Sequence, residues 1–284
     1  MRILLTGANG QLGRCFQDRV EAGWEVRATD ANELDITNLK DVVNAIEQLK
    51  PDIVVNAAAY TAVDKAESDE VIAEAVNKTG PYNLALAAKN IGALFIHIST
   101  DYVFDGLSNK KYKENDQTNP LSIYGKTKLA GEIAVTDIYD KTIIIRTAWV
   151  FSEYGNNFVK TMIRLAKDRD QLKIVSDQFG CPTYAGDIAS AIIKLIKEKA
   201  PAGIYHYCGD EETNWSDFAR KIIEVAYDKQ LLDSKTEVLD ISTEEYPTAA
   251  IRPKYSSLDL SKIKGLNIKP SDWKKALQEV IVKL

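Results

Sequence analysis

The chain opens with Met1-Arg2-Ile3-Leu4-Leu5-Thr6-Gly7-Ala8-Asn9-Gly10-Gln11-Leu12-Gly13, an apolar run that leads into regularly spaced glycines. Residues 3–6 are typical of a short buried strand, and residues 11–21 can continue as a helix. Glycines at such a turn let the backbone approach a pyrophosphate, which lies at the positive end of the helix. The spacing is G-x-x-G-x-x-G and not G-x-G-x-x-G, so the stretch predicts a variant of the dinucleotide-binding turn.

Apolar segments and helical segments alternate beyond this turn. The predicted strands are residues 3–6, 25–29, 53–56, 94–99, 142–146 and 203–207. The predicted helices among them are residues 38–49, 66–77, 82–91 and 122–136. Strands that are apolar throughout and separated by helices indicate a parallel sheet with both faces covered. The sequence therefore predicts an α/β fold with a Rossmann-type doubly wound parallel sheet.

The second half of the chain is less regular. Its predicted helices, residues 157–167, 185–197, 215–227 and 271–282, are separated by polar loops that contain prolines. We expect residues 1–150 to form an NAD(P)-binding domain that is rejoined by about residues 184–209. Residues 151–284 should form, for the most part, a smaller and discontinuous C-terminal substrate-binding lobe.

Composition excludes several classes of protein. A hydrophobic content of 45% and a charged content of 27% are ordinary for a soluble globular chain. The net charge of -5 and the lack of a clustered basic patch give no support to nucleic-acid binding. No apolar run approaches the roughly 18 residues of a membrane span. Cys15, Cys181 and Cys208 are far apart and form no C-x-x-C, which is typical of unpaired thiols in a reducing compartment. The first residues lead directly into a predicted strand, so we expect no signal peptide and a cytoplasmic protein.

A second informative stretch is Tyr124-Gly125-Lys126-Thr127-Lys128. If this segment is helical, Tyr124 and Lys128 lie on one face, whereas Lys126 points elsewhere. A phenol with a pKa of about 10 is a poor acid near neutrality. A neighbouring ammonium favours the phenolate and so lowers that pKa. The pair predicts a proton donor beside a bound dinucleotide, as an enzyme that moves a hydride and a proton needs.

The residue that ends the second predicted strand bears on the choice of cofactor. Asp30 follows the glycine turn by about twenty residues, where a carboxylate accepts hydrogen bonds from ribose hydroxyls and repels a 2′-phosphate. Taken alone, Asp30 favours NADH. Arg14 directly follows the glycines and could soften that preference, although a solvated arginine is an equal interpretation. Both NADPH and NADH therefore stay open as cofactors.

The chain resembles the extended short-chain dehydrogenases/reductases, and among them the dTDP-4-dehydrorhamnose reductases. The resemblance covers nearly the whole length and includes the glycine turn and the Tyr124–Lys128 segment. Further matching segments are Asn-Ala-Ala-Ala-Tyr-Thr-Ala-Val-Asp-Lys-Ala-Glu (residues 56–67), Ser-Thr-Asp-Tyr-Val-Phe-Asp-Gly (99–106), Arg-Thr-Ala-Trp (146–149), Gly-Asn-Asn-Phe-Val-Lys-Thr-Met (155–162), Asp-Gln-Phe-Gly-Cys-Pro-Thr (177–183) and Arg-Pro (252–253).

The resemblance implies a reduction of the 4-keto group of dTDP-4-dehydro-L-rhamnose to dTDP-L-rhamnose, with hydride from the nicotinamide. It implies that Tyr124 protonates the sugar oxygen. Lys128 would hold the nicotinamide ribose and keep the Tyr124 pKa low. Thr100 would hydrogen-bond the same sugar oxygen. A nucleotide sugar is thus the expected partner.

The resemblance assigns other residues as well. Those expected along the cofactor are Gly7, Gly10, Gln11, Leu12, Gly13, Asp30, Asp35, Ile36, Ala59, Tyr60 and Thr61. Those expected to face the sugar are Asp101, Tyr102 and Trp149, and for Trp149 a core tryptophan is the alternative. Arg252 is a candidate ligand of the diphosphate, because its planar guanidinium suits phosphate; a surface salt bridge is the competing interpretation.

One short segment, residues 100–102, distinguishes this chain from related enzymes of the superfamily. Dehydratases of this superfamily carry Thr-Asp-Glu where this chain has Thr100-Asp101-Tyr102, and the serine-rich segment of the epimerases also fails to match. Two alternatives stay open at this point. One is a non-catalytic nucleotide-binding regulatory subunit similar to that of methionine adenosyltransferase, and the other is a reductase of another dTDP-4-keto-6-deoxysugar.

One position departs from some members of the family. In those members glutamates at a dimer interface hold magnesium, and one of them follows the glycine turn directly. Here that position is Cys15, and a thiol is a poor ligand for a hard cation that prefers oxygen. The sequence therefore predicts no metal. A homodimer is possible, and a monomer is an equal expectation.

Overall fold

A six-stranded parallel sheet forms the centre of the protein in the computed structural model, which describes all residues from 1 to 284. In chain order its strands are β1 (Arg2–Thr6), β2 (Glu25–Thr29), β3 (Ile53–Asn56), β4 (Leu94–Thr100), β5 (Thr142–Thr147) and β10 (Gly203–His206). Across the sheet the order is β2-β1-β3-β4-β5-β10. The order reverses on either side of β1, so β1 and β3 flank the switch point at which such sheets bind ligands.

Helices cover both faces of this sheet. They are α1 (Gln11–Gln17), α2 (Leu39–Leu49), α3 (Val63–Ala66), α4 (Glu70–Glu74), α5 (Gly80–Ile91), α6 (Ile123–Ile138), α7 (Phe158–Asp168), α8 (Ala185–Lys197), α9 (Trp215–Asp228), α10 (Ser261–Lys264) and α11 (Trp273–Ile281). Side chains alternate along β1: Ile3 and Leu5 join the core cluster with α1 and α8, whereas Leu4 joins the cluster with α2 and α5. This alternation is the period of a strand, and burial on both faces explains its uninterrupted apolar run.

Short strands outside the main sheet pair in the second half of the chain. They are β6 (Val150–Phe151), β7 (Gln171–Val175), β8 (Phe179–Gly180), β9 (Thr183–Tyr184), β11 (Thr213–Asn214) and β12 (Glu237–Ile241). The pairs are β6 with β9, β7 with β12 and β8 with β11. Helix α9 packs against α7, α11, β7, β11 and β12, so these elements form one packed unit in the second half of the chain.

The predicted fold class is confirmed: the structure is a doubly wound parallel α/β sheet. The single helix predicted over residues 66–77 was wrong. Here α3 ends at Ala66, α4 begins at Glu70, and the π-helical turn Ala75–Thr79 follows. Lys65 O accepts from Ser68 N at 3.1 Å, from Asp69 N at 2.9 Å and from Ser68 Oγ at 3.0 Å, so the chain makes a tight turn at residues 67–69 before α4 begins. None of the eleven helices combines the length and apolar character that a membrane crossing needs.

Candidate active site

A cleft of about 960 Å³ opens at the carboxyl ends of β1, β3, β4 and β5. It extends from the glycine turn to the second half of the chain, where it reaches α7 and α9. The predicted site residues that line it are Gly7, Gly10, Gln11, Leu12, Asp30, Asp35, Ile36, Ala59, Tyr60, Thr61, Thr100, Asp101, Tyr102, Tyr124, Lys128 and Trp149. Gly13 and Arg252 do not line it. The cleft can hold a large ligand, because small-molecule sites are usually about 300–1,000 Å³.

The glycine turn fits a bound pyrophosphate. Gly7 has a φ of 71°, and a Cβ on it would lie 2.6 Å from Ala57 C at the end of β3. A Cβ on Gly13 would lie 2.1 Å from Gly7 O, so Gly13 packs beneath the turn and not in the cleft. Gly10 precedes α1 and has no side chain to cap it. The first amide groups of α1 are therefore left for an anion, as a dinucleotide needs.

The end of β2 forms a small corner with the glycine turn. Asp30 accepts hydrogen bonds from Asn9 N at 2.9 Å and from Ala31 N at 2.8 Å. The exposed Arg14 donates from Nη2 to Asn9 Oδ1 at 3.2 Å. A carboxylate and a guanidinium thus both border the place where an adenosine ribose would lie. The structure leaves both the NADH and the NADPH interpretation chemically possible at this corner.

Helix α6 carries Tyr124 and Lys128 on one face. Ser122 caps the helix by accepting from Gly125 N, and Gly125 is needed because a Cβ there would lie 2.3 Å from Tyr102 O. Lys128 is 2% exposed and donates to Ile98 O in β4 at 2.6 Å. This bond fixes the lysine to the sheet, so α6 presents both side chains to the cleft at a defined depth.

The pKa of Tyr124 differs from the expectation. Burial raises it to about 12, and the polar side chain of Thr100 opposes the rise. Burial also lowers the pKa of Lys128 to about 8. The predicted lowering of the Tyr124 pKa by Lys128 was therefore wrong for the protein without ligands. Desolvation of the phenolate exceeds the effect of a lysine whose ammonium is held against Ile98 O.

Thr100 ends β4, and Asp101 begins the short 3₁₀ turn that follows it. Thr100 Oγ1 donates to Asp101 Oδ1 at 2.9 Å and accepts from Tyr102 N at 3.2 Å. Burial raises the pKa of Asp101 to about 6. The rings of Tyr102 and Tyr124 meet edge to face with centroids 5.4 Å apart. These contacts bring a hydroxyl, a carboxyl and a phenol into one polar cluster at the cleft wall.

Trp149 lines the cleft wall, and it also packs, half-buried, against the main core cluster. Its φ of 47° is rare for a residue with a side chain. The indole stacks on Trp215 at 3.5 Å between centroids, and its other side faces Gly180, where a Cβ would lie 2.6 Å from Trp149 Cε2. The indole is thus held between α9 and β8. Strain of this kind is found mostly at functional sites.

Arg252 lies outside the cleft lining. Its guanidinium makes a bidentate pair with Asp64, with Nη1 3.1 Å from Oδ1 and Nη2 2.7 Å from Oδ2. Asp64 also accepts from Ala250 N at 3.1 Å. These bonds, led by that from Arg252, hold the Asp64 pKa below its usual value. The arrangement matches the salt-bridge interpretation of Arg252 in the protein without ligands.

Sequence reasoning missed a junction between the two halves of the chain. Gln11 Oε1 accepts from Ser152 Oγ at 3.0 Å and from Asn157 Nδ2 at 2.9 Å. Asn157 also caps α7, where it accepts from Lys160 N at 3.2 Å. The motif of residues 155–162 was visible, but its contact with the glycine turn joins positions about 146 residues apart. Phe158 of that motif also lines the cleft, as do Trp215 and Phe218, which had no local signal.

Cys15 lies behind the glycine turn in the core. It is fully buried, and burial raises its pKa to about 12. Glu153 is nearby, but Tyr184 Oη donates to it at 3.1 Å and Lys283 Nζ donates to it at 2.5 Å. A neutral thiol beside a carboxylate already paired with a cation does not fit a hard divalent metal.

The comparisons with known proteins agree along the full length. The family model described as RmlD substrate binding domain matches residues 1–284. The dTDP-4-dehydrorhamnose reductase of Aggregatibacter actinomycetemcomitans is 48% identical over 287 aligned positions, covering 98% of each chain. A solved dTDP-4-dehydrorhamnose reductase of Clostridium acetobutylicum is 44% identical with a TM-score of 0.93, covering 99% of this chain and 98% of that one. The Bacillus anthracis enzyme of the same name, solved in complex with NADP, is 39% identical with a TM-score of 0.94, covering 100% and 99%.

Proposed function

The chain belongs to the RmlD substrate binding domain family of dTDP-4-dehydrorhamnose reductases, and on that premise we propose that it reduces dTDP-4-dehydro-L-rhamnose to dTDP-L-rhamnose with NADPH. The observation that carries the proposal is the meeting of Thr100, Tyr124 and Lys128 in the cleft that the glycine turn also borders. A pure binding subunit has no need of a proton donor, a lysine and a hydroxyl at one point.

In this mechanism the bound cofactor supplies the hydride. Tyr124 donates its proton to the oxygen that becomes the sugar hydroxyl. Thr100, which lines the same cleft, would hydrogen-bond the same sugar oxygen. Lys128 would bind the nicotinamide ribose, and Trp149 with Trp215 would form the wall against the sugar. Positioned proton transfer of this kind contributes about 10²- to 10⁴-fold to the rate.

The experiment follows NADPH absorbance with dTDP-4-dehydro-L-rhamnose made in situ, and identifies the sugar product by chromatography against dTDP-L-rhamnose. We expect oxidation of NADPH that depends on the sugar nucleotide and stops when it is consumed. Cofactor binding without oxidation would contradict the proposal and favour a regulatory subunit. Oxidation of NADPH with another dTDP-4-keto-6-deoxysugar only would mean that this other sugar is the substrate.

The preference for NADPH should depend on Arg14. Its guanidinium borders the Asp30 corner, where it can pair with a 2′-phosphate. Arg14→Ala should raise KM for NADPH about 10-fold, which corresponds to about 1.4 kcal/mol, and change KM for NADH by less than about 2-fold. The matched control is Arg27→Ala, at an exposed arginine of β2 that does not line the cleft. An equal change for both cofactors would show that Arg14 does not bind the phosphate.

The sugar side of the cleft can be tested without touching its polar residues. Gly180→Ala places a methyl against the Trp149 indole and must displace it. Overpacking costs about 1–3 kcal/mol, so KM for the nucleotide sugar should rise at least about 5-fold while NADPH affinity is unchanged. Gly265→Ala is the control, because an added Cβ there meets nothing nearer than Lys262 O at 3.2 Å. An unchanged KM for the nucleotide sugar would show that Trp149 does not contact the sugar.

Domain organisation, location and assembly belong to the same proposal. We propose that residues 1–150, rejoined by about 184–209, bind the cofactor, and that most of residues 151–284 bind the nucleotide sugar. The pairing of β10 with β5 supports the rejoining. We place the enzyme in the cytoplasm, where reduced cofactor is available. A homodimer stays a prediction from sequence, and light scattering of the purified chain tests it.

A further inference from the structure

The segment of residues 155–162 has no part in the reduction as described so far, although it contacts the glycine turn. Asn157 lies at the start of α7, where its side-chain oxygen caps the helix by accepting from Lys160 N at 3.2 Å. Its amide nitrogen makes other bonds: Asn157 Nδ2 donates to Gln11 Oε1 at 2.9 Å and to Ser152 O at 2.8 Å. One side chain therefore joins α7, the loop before it and the start of α1.

Gln11 is the partner of this junction in the first half of the chain. It is the first residue of α1, so its backbone lies at the helix end that is left for a pyrophosphate. Its side chain reaches the second half of the chain, where Oε1 also accepts from Ser152 Oγ at 3.0 Å. Gly155 leaves room for it: its φ is 58°, and a Cβ there would lie 3.2 Å from Gln11 Cγ. The junction is at the cleft, because Gln11, Gly155 and Asn157 all line it.

The residue after Asn157 continues the connection to the aromatic wall. Phe158 begins α7 and packs on Trp215 with ring centroids 4.7 Å apart. Trp215 stacks in turn on Trp149 with centroids 3.5 Å apart. All three aromatic side chains line the cleft. Bonded and packed contacts therefore run without a gap from the glycine turn to the wall proposed for the sugar, and close packing transmits a displacement along them.

We propose that Asn157 is a positioning residue for the hydride transfer, a role that rests on the reduction proposed above. Joined to Gln11, it fixes the distance between the cofactor turn and the aromatic wall. Hydride transfer needs the two reacting carbons aligned at about 3–3.5 Å, and a misplacement of about 1 Å can cost about 10²-fold in rate. Asn157 supplies no proton or charge to the reaction; it acts through Gln11 and Phe158 on the placement of the two ligands.

Other bonds join α1 to the second half of the chain away from the cleft. Tyr154 Oη donates to Asp18 Oδ2 at 2.8 Å, and Arg19 Nη2 donates to Tyr184 Oη at 3.0 Å. Asp18 and Arg19 follow the carboxyl end of α1, and neither tyrosine lines the cleft. These bonds hold the two halves together when the bond at Gln11 is lost. Its loss should therefore change the geometry of the cleft and not the fold.

The test uses Asn157→Ser, because serine caps a helix about as well as asparagine but is too short to reach Gln11. Single-turnover oxidation of bound NADPH by the nucleotide sugar, which isolates the hydride step, should slow by about 10-fold. The Kd of each ligand, measured by titration, should stay within about 3-fold of the wild-type value. Gln11→Met keeps the backbone amide and removes the acceptor, so it should slow the same step to the same extent.

A double variant decides whether the two residues act as one. Asn157→Ser with Gln11→Met should be about as slow as either single variant, because each breaks the same bond, whereas independent effects would multiply to about 100-fold. Tyr154→Phe is the matched control, since it removes a bond between the same loop and the far end of α1. Asn214→Ser is the control for capping, because Asn214 caps α9 by accepting from Asp217 N at 2.8 Å. Both controls should keep the wild-type single-turnover rate.

An Asn157→Ser enzyme with the wild-type single-turnover rate, or one changed only in the Kd of a ligand, overturns the positioning role although the reductase stands. A double variant about 100-fold slower than wild type also overturns it, because the two side chains would then act separately. If Asn157→Ser does not fold, Gln11→Met and its Tyr154→Phe control give the same decision from the other side of the bond.

A wild type without reductase activity instead overturns the proposed function, and the junction is then tested without turnover. The stacked Trp149 and Trp215 should give an exciton signal in circular dichroism. Gln11→Met should weaken that signal, although it lies in the other half of the chain, and Tyr154→Phe should not. An exciton signal that is the same in Gln11→Met and in wild type would show that the junction does not hold the aromatic wall.

Discussion

Replacing Tyr124 with phenylalanine is expected to lower kcat by about 10²- to 10⁴-fold, because it removes the phenolic proton donor and keeps the ring. The ring still packs edge to face on Tyr102, so cofactor binding and stability should change little. Burial holds the Tyr124 pKa at about 12, so the phenol starts each turnover protonated. Initial rates of NADPH oxidation measure the loss, and fluorescence titration measures cofactor affinity.

The matched control for this substitution lies at the end of the same helix. Tyr139 is buried outside the cleft, and its hydroxyl donates to Ala93 O at 2.8 Å. Tyr139→Phe should lower the free energy of unfolding by about 1 kcal/mol, because it removes one hydrogen bond. It should leave kcat near the wild-type value. A Tyr124→Phe enzyme that keeps more than about a tenth of the wild-type kcat would show that Tyr124 is not the proton donor.

The largest expected effect on stability is at the ion pair beneath helix α6. Glu132 and Arg146 have side chains that are each 3% exposed, with Nη2 2.7 Å from Oε2 and Nε 2.9 Å from Oε1. Ser99 also donates to Glu132. Removing one partner leaves the other charge buried without compensation. Glu132→Gln should therefore lower the free energy of unfolding by about 3–5 kcal/mol, measured by urea denaturation.

Two comparisons isolate the buried charge as the cause. Glu74→Gln breaks the exposed pair with Lys78 and should not change stability measurably, because exposed pairs contribute little. The double variant Glu132→Leu, Arg146→Met removes both charges and should be more stable than Glu132→Gln. A Glu132→Gln protein as stable as wild type would mean that Arg146 is compensated by its other contacts, Glu114 O and the Phe104 ring. Helix α6 would then be held in place by packing alone.

The features that the sequence predicts correctly are those that depend on residues close together in the chain. The apolar period of β1 and the spacing of the following glycines define the parallel sheet and its turn, because both depend on neighbours within a few residues. Tyr124 and Lys128 are recognisable for the same reason, since a helix places positions four apart on one face. The break between α3 and α4 was missed because residues 66–70 contain no glycine or proline to mark it.

Contacts between distant positions had no such signal. Gln11 meets Asn157, and Trp149 meets Trp215, only because the second half of the chain folds over the carboxyl ends of the strands. The direction of the Tyr124 pKa shift was wrong for a related reason. The Lys128 charge is a property of the motif, but desolvation is a property of the finished core, and here the second outweighs the first.

Reduction of a sugar ketone in this cleft can be followed by the transfer of an isotope from the nicotinamide. The wild-type enzyme is incubated with dTDP-4-dehydro-L-rhamnose and NADPH carrying deuterium at both C4 positions of the nicotinamide. We expect dTDP-L-rhamnose with one deuterium, located at sugar C4 by NMR. An unreacted sugar in the presence of bound cofactor, or a reduced product without deuterium at C4, would contradict it.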